Sequence, residues 1–310
     1  MLGIYQSVDG AIRTADVDAV NDAIWIDVFA PDDDERKCIE RVTGTTLPEV
    51  VSNGIEASAR CFVDDHGLHL RSAFMTEHGG RHTLETVACL LQPERLVTVR
   101  PGRLRDFQLL RVRSRRGEVH SDTPLELLLD LLEQKIDQFA TIIEEIHKRL
   151  EQVSQQVLEV GVHEIDDVIR ELARAENSTG KVRLALTDTQ LSAQFLERQY
   201  PDDESVTIVT KEIAQDVAAL LSHSTFLFER VNFLMATAQG LISIEQNQII
   251  KMFSIAAVVF LPPTLIASIY GMNFEIMPEL EWGLGYLWAI GLMIASGVAP
   301  YWIFKHKGWL

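Results

Sequence analysis

Tyr270-Gly271-Met272-Asn273-Phe274, followed by Met277-Pro278-Glu279-Leu280, joins the two long apolar runs of a 310-residue chain. The run from Met252 to Tyr270 precedes it and the run from Trp282 to Phe304 follows it, and neither contains a charged residue. Each approaches the roughly 20 helical residues needed to cross a hydrocarbon core about 30 Å thick. The pattern predicts a membrane hairpin: a first span over 249–272, a connection over 273–282, a second span over 283–304 and a basic tail over 305–310.

Charge orients the hairpin. Lys251 lies before the first span and Lys305, His306 and Lys307 follow the second, whereas the connection carries Glu275, Glu279 and Glu281 and no Lys or Arg. By the positive-inside rule both chain ends are expected in the cytoplasm. Met1 to Gln6 show neither a basic stretch nor an apolar one of the kind that exports a protein, so the residues before the hairpin are expected to form a cytosolic body.

Composition narrows the function class. At a net charge of −17 a nucleic-acid partner is not expected, since phosphate binding needs clustered Lys and Arg, and an acidic field attracts cations instead. Cys38, Cys61 and Cys89 form no C-x-x-C pair and read as reduced thiols that fill core space. No Gly-rich phosphate loop, H-E-x-x-H or G-x-S-x-G occurs, so an enzyme is not expected and no cofactor is assigned.

Residues 1–120 alternate short β-rich runs with turns: Ala23 to Phe29, Ala59 to Val63, Leu68 to Thr76, Glu85 to Leu91 and Leu96 to Val99. Pro31 and the carboxylates of Asp32 to Glu35 open a helix between the first two. Residues 121–248 read as helix throughout. Thr123-Pro124 caps a first helix that reaches about Glu159, a second runs from His163 to Gln199 after a break at Gly161, and Pro201-Asp202-Asp203 starts a third. That third helix has no stop signal before the membrane and would be on the order of 100 Å long at 1.5 Å per residue. Its seam of Ile213, Val217, Leu220, Leu227, Val231, Leu234, Ala238 and Leu241, broken at Ser224, calls for covering by an intramolecular bundle or by further copies of the chain. The fold class is an α+β cytosolic domain, a long helical stalk and two C-terminal transmembrane helices.

Two spans cannot enclose a hydrophilic path, so conduction would require several copies around one axis. The first span supplies a face for it. Asn247, Ser254, Ala257, Leu261, Thr264 and Ser268 recur at spacings of three, four or seven and carry small or hydroxyl-bearing side chains with one Leu; close helix packing in lipid is the alternative use of such residues. Pro262-Pro263 removes two backbone donors within the span, and Gly271 allows the turn that ends it. Main-chain and amide oxygens at Gly271, Met272 and Asn273 suit a hard cation, and Mg2+, which surrenders its waters reluctantly, would be held through its hydration shell. Glu275, Glu279 and Glu281 would raise the cation concentration at that mouth.

These residues resemble the CorA magnesium transporters. Tyr270-Gly271-Met272-Asn273 with Met277-Pro278-Glu279-Leu280 is similar to the family signature, and the likeness extends to Asn232-Phe233-Leu234-Met235, Ile244-Glu245-Gln246-Asn247, Phe260-Leu261-Pro262-Pro263-Thr264-Leu265 and Lys307-Gly308-Trp309-Leu310 of its enterobacterial-type branch. The resemblance implies a funnel-shaped homopentamer in the bacterial inner membrane that takes up Mg2+, with Co2+ and Ni2+ as further cargo. Gly271, Met272 and Asn273 would form the selectivity filter, and Asn247, Leu261 and Thr264 would face the pore. Mg2+ would also act as the regulatory ligand on the cytosolic side, where Glu212 and Asp216 are candidates. A zinc transporter of the same superfamily is the first alternative, which Met272 disfavours, and a membrane-anchored scaffold or receptor without ion flux is the second.

Overall fold

The computed structural model of the chain describes residues 2–8, 10–46, 60–118, 121–159, 165–273, 278 and 281–308. Seven strands lead the chain: β1 (Leu2–Val8), β2 (Ala11–Ala15), β3 (Trp25–Phe29), β4 (Cys61–Asp64), β5 (Gly67–His78), β6 (Arg81–Leu91) and β7 (Leu96–Arg100). They form one sheet in the order β2-β1-β3-β7-β6-β5-β4, parallel only between β3 and β7. Among the described residues six α-helices accompany them: α1 (Asp33–Thr43), α2 (Arg105–Arg115), α3 (Pro124–Glu159), α4 (Ile165–Gln199), α5 (Glu204–Tyr270) and α6 (Gly285–His306).

Local chemistry explains the helix starts. Asp32 Oδ1 accepts from the amides of Asp34 and Glu35 at 3.1 and 2.7 Å, while Glu35 Oε2 accepts from the Asp32 amide, a reciprocal capping box. Thr123 and Glu126 repeat the device ahead of α3. Asp203 receives the amides of Ser205 and Val206 at the head of α5. The predicted strands at 23–29, 68–76, 85–91 and 96–99 all appear, β5 and β6 being longer because the Gly79-Gly80 turn, with both residues at positive φ, pairs them to their ends. Ala59, Gly161 and His163, named above as strand or helix limits, lie outside the described residues.

Three elements lie beyond the expectation: β1, β2 and α2. In β2 only Ile12 is buried, so alternation has little to show; α2 buries Asp106, Phe107, Leu110 and Ser114, a stripe half polar in composition. One sheet face meets α1 through Ile26, Val28, Ile39, Leu90 and Val97. On the other, Trp25 stacks on Tyr5 at 4.7 Å between ring centroids and meets Phe107, and its Nε1 donates to Thr98 Oγ1 at 3.0 Å.

The chain divides into two compact units, Met1–Met235 and Ala236–Leu310, with the division inside α5. Within the first unit the apolar seam of α5 is covered by the same chain: Ile213, Val217, Leu227, Val231 and Leu234 are all buried, as is Ser224. This stretch of the seam therefore gives no reason to invoke a second copy. The stripe of residues at spacings of three, four and seven is a packing surface there, and its partner is intramolecular.

Candidate functional site

In the second unit, burial separates the two sides of α5. From Ile255 to Tyr270 the partly buried positions are Ile255, Ala256, Val259, Pro262, Pro263, Ile266 and Tyr270, whereas Asn247, Ser254, Ala257, Leu261, Thr264 and Ser268 are all exposed. At 3.6 residues per turn these two sets lie on opposite sides of the helix. The partly buried side meets α6. A Cβ added at Gly297 would lie 3.3 Å from Pro263 Cγ and 3.4 Å from the Val259 carbonyl oxygen.

That contact has a backbone cause. Pro263 cannot donate to the Val259 carbonyl, which is its partner in a regular helix, and Gly297 brings α6 close to the oxygen so freed. Half of the covered positions of α6 are small, with Gly285 and Ala289 buried and Ser296 and Gly297 partly so beside Ile290, Met293, Pro300 and Phe304, and such small residues let helices approach closely in lipid. Sequence reading did not single out Gly297; its partner in α5 is set by the antiparallel register, which no local pattern encodes. On the opposite side, Thr264 Oγ1 donates to the Phe260 carbonyl at 2.7 Å, so its hydroxyl is held against the helix with its oxygen lone pairs outward.

Helix α5 ends at Tyr270. Gly271 donates to the Ala267 carbonyl at 3.0 Å and Met272 to the Ile269 carbonyl at 3.2 Å, and Gly271, Met272 and Asn273 are all exposed. Gly271 is absent from the positive-φ residues, so it does not end the helix by a left-handed turn; a side chain there would instead press on the Ala267 oxygen, 3.2 Å from an added Cβ. This corrects the reason expected for the glycine. Of the acids in the connection, Glu281 is described and exposed, while Glu275 and Glu279 lie outside the described residues, as do Phe274, Met277, Leu280, Trp309 and Leu310.

Glu212 and Asp216 sit one turn apart on α5 in the first unit, both exposed. Burial first, then the neighbouring Asp130, Glu212 and Asp137, push the Glu133 carboxyl above its ordinary range. Glu212 is therefore close to other acids. Among the described residues no group of three or more His, Cys, Asp or Glu side chains is arranged to hold a metal within one chain.

Sequence reading also missed a buried polar network against the sheet. Asp188 on α4 accepts from Ser72 Oγ and the Ala73 amide, both at 2.8 Å, and from Arg60 at 3.0 Å. Lys135 on α3, fully buried, donates to Ser72 Oγ at 2.6 Å, lies 3.5 Å from Asp188 and rests over the Phe74 ring. Burial lowers the Lys135 pKa, and Asp188 and Asp106 oppose that. Asp106 is itself buried with neither carboxylate oxygen hydrogen-bonded among the described residues, and burial pushes its pKa up to about 7. The three cysteines are free; burial raises the Cys89 thiol to about 12, which suits a core filler and not a nucleophile.

Two described helices, α5 and α6, are long and apolar enough to cross a membrane. A family model for the CorA-like Mg2+ transporter protein matches residues 20–306. The chain is similar to the magnesium transport protein CorA of Escherichia coli strain K12, at 45% identity over 318 aligned residues covering 100% of each chain. It is similar at 44% identity, with the same coverage, to the magnesium transport protein CorA of Salmonella typhimurium strain LT2. Its fold is similar to the complete structure of the CorA magnesium transporter from Methanocaldococcus jannaschii, with a TM-score of 0.76 at 17% identity over 100% of this chain and 99% of the other.

Proposed function

Because the chain belongs to the family of CorA-like Mg2+ transporters, we propose that it carries Mg2+ across the bacterial inner membrane along a pathway that copies of α5 form around a shared axis. The observation that carries this reading is the opposition of two faces on α5. One face is occupied by α6, so the other, with Asn247, Ser254, Ala257, Leu261, Thr264 and Ser268, is left uncovered by its own chain and free to line a path shared between copies. We take the assembly to be a homopentamer, with spans at 249–272 and 283–304 and both chain ends in the cytoplasm, as Lys305, His306 and Lys307 favour.

No charge lies on α5 between Met252 and Tyr270, so attraction there comes from hydroxyl, amide and carbonyl dipoles. Such groups hold a hydrated Mg2+ by its waters, weakly enough to release it. Asn273, with Gly271 and Met272, forms the outer filter, and Leu261 narrows the path below it. Glu275, Glu279 and Glu281 gather cations outside. Co2+ and Ni2+ follow the same route. On the cytosolic side Mg2+ near Glu212 and Asp216 favours the closed state, which gives feedback if it binds that state more tightly.

Mg2+ flux into proteoliposomes, for the wild-type chain and Asn273→Ala, tests the reading. Near-complete loss of flux with assembly intact is expected, since the substitution deletes a ring of amides and leaves the α5–α6 contact untouched. Equal flux from both proteins would refute the filter assignment, and Zn2+ flux without Mg2+ flux would reverse the choice of ion.

A further inference from the structure

A local reversal of charge on this acidic chain lies in the first unit, between the β5–β6 hairpin and α4. A trough of about 490 Å3 is lined there by Arg81 from the hairpin and by Arg170, Arg174, Asn177, Ser178 and Lys181 from α4. None of the described residues lining it is acidic, although the whole chain carries −17. Positions 170, 174, 177, 178 and 181 share one face of α4 at 3.6 residues per turn, so the stripe follows from the helix itself. Gly80, at the tip of the hairpin, narrows the side of the trough to bare main chain.

These cations are not committed elsewhere in a way that closes the site. Arg170 pairs with Asp167 and Arg174 with Glu171, each across three residues of an exposed helix surface, where ion pairs are worth little and exchange readily. Lys181 is better fixed: its Nζ donates to the His82 carbonyl at 2.7 Å, which holds the ammonium at the foot of the trough. His82 Nδ1 lies 3.0 Å from Ser178 Oγ, and burial lowers its pKa, with Glu77 and Glu145 opposing and Arg149 and Lys181 assisting. The imidazole is thus neutral near pH 7 and can orient the Ser178 hydroxyl.

Geometry selects the shape of the ligand. Residues 170 and 181 are separated by about 16 Å along α4 at 1.5 Å per residue. A lone phosphate spans only a small part of that length, whereas a chain of linked phosphates reaches further along the stripe and can engage several Arg forks in parallel. We infer that this trough binds a linear polyphosphate anion, of the class of a nucleoside triphosphate or inorganic tripolyphosphate, through Arg81, Arg170, Arg174 and Lys181. The site is separate from the α5 pathway and does not depend on how ions pass it.

Calorimetric titration of the full chain in mild detergent and metal-free buffer tests this with tripolyphosphate, ATP and orthophosphate. Saturable binding of tripolyphosphate, with orthophosphate weaker by about tenfold or more, is expected from the number of charge-assisted contacts each can make. Binding of ATP as tight as that of tripolyphosphate assigns the site to nucleotides, and its failure assigns it to inorganic chains. Arg170→Glu with Arg174→Glu, both on exposed surface, should weaken binding by about a hundredfold, at roughly tenfold per cation. Arg13→Glu with Arg116→Glu makes the same change in net charge away from the trough and should leave binding unchanged. No saturable binding at millimolar tripolyphosphate, or equal weakening by the two double variants, would overturn the inference.

Discussion

Replacing Asp106 by Asn should stabilise the first unit at and above neutral pH, by an amount that grows with pH. The side chain is 1% exposed, lies in the first turn of α2 and faces Lys135 of α3, with Arg105 beside it. Its own amide lies near enough to favour the carboxylate slightly, yet neither oxygen has a hydrogen bond among the described residues. Burial raises its pKa from 3.8 to about 7. The folded chain therefore holds a proton that the unfolded chain releases between those two values. The sign follows: the carboxyl imposes no penalty below pH 3.8, an increasing one as pH rises, and its full penalty above about pH 7.

At about 1.4 kcal/mol per pKa unit the full penalty is roughly 4 kcal/mol, an upper bound for a site that relaxes or admits water. Asn removes the ionisation but leaves a buried amide, so the absolute gain is smaller, about 2 kcal/mol at pH 8. The difference between pH values is the cleaner quantity, since the amide contributes equally at each. Between pH 5 and pH 8 the gain should increase by about 2 to 3 kcal/mol. Urea titration of the full chain in mild detergent, read by the near-ultraviolet circular dichroism of the buried aromatic stack, measures it. A stability difference between the two proteins that does not change over that interval would refute the reasoning, because it would mean that Asp106 is ionised in neither state or in both.

Other substitutions probe the remaining contacts. Asp188→Ala strands Lys135 and should cost about 3 to 5 kcal/mol, while Lys135→Met added to it should recover much of the loss; a double variant as unstable as the single one would deny the pairing. Gly297→Val should destabilise the α5–α6 contact by about 1 to 3 kcal/mol through overpacking on Pro263, whereas Gly297→Ala needs only a small adjustment; identical thermal stability of wild type and the Val variant in detergent would show that the helices are not held at that spacing. Glu212→Ala with Asp216→Ala should abolish protection from protease by Mg2+, and protection equal to wild type would remove these acids from regulation.

Much of the fold was legible because its signals are local. Asp32 with Glu35, Thr123 with Glu126, and Asp203 each announce a helix start by a side chain that meets amides two or three residues on, and the structure shows all three. Strands β5 to β7 were legible through runs of branched and apolar residues. Less could be read where contacts are distant in sequence. Lys135, Ser72 and Asp188 meet across 63 and 116 residues, and none of them looks unusual in its own segment. Asp106 resembles an ordinary acid in the first turn of a helix, where a carboxylate is favourable, until tertiary packing removes its water.

Helix α5 shows most directly where periodicity stops being informative. Its two halves carry stripes with the same spacing of three, four and seven residues, Ile213 to Leu234 in one and Ser254 to Ser268 in the other. Spacing says only that each stripe shares a face. The first is buried by its own chain, and the second stands opposite the side that α6 occupies. Polarity separates them: a seam of Ile, Val and Leu gains by leaving water, whereas Ser and Thr side chains gain little from burial and retain oxygens that a hydrated ion can use. On the proposal that copies of α5 line a path, a face so placed, with no charge between Met252 and Tyr270, favours weak and repeated contacts over a single tight binding site. Efficient passage of a strongly hydrated cation requires that balance.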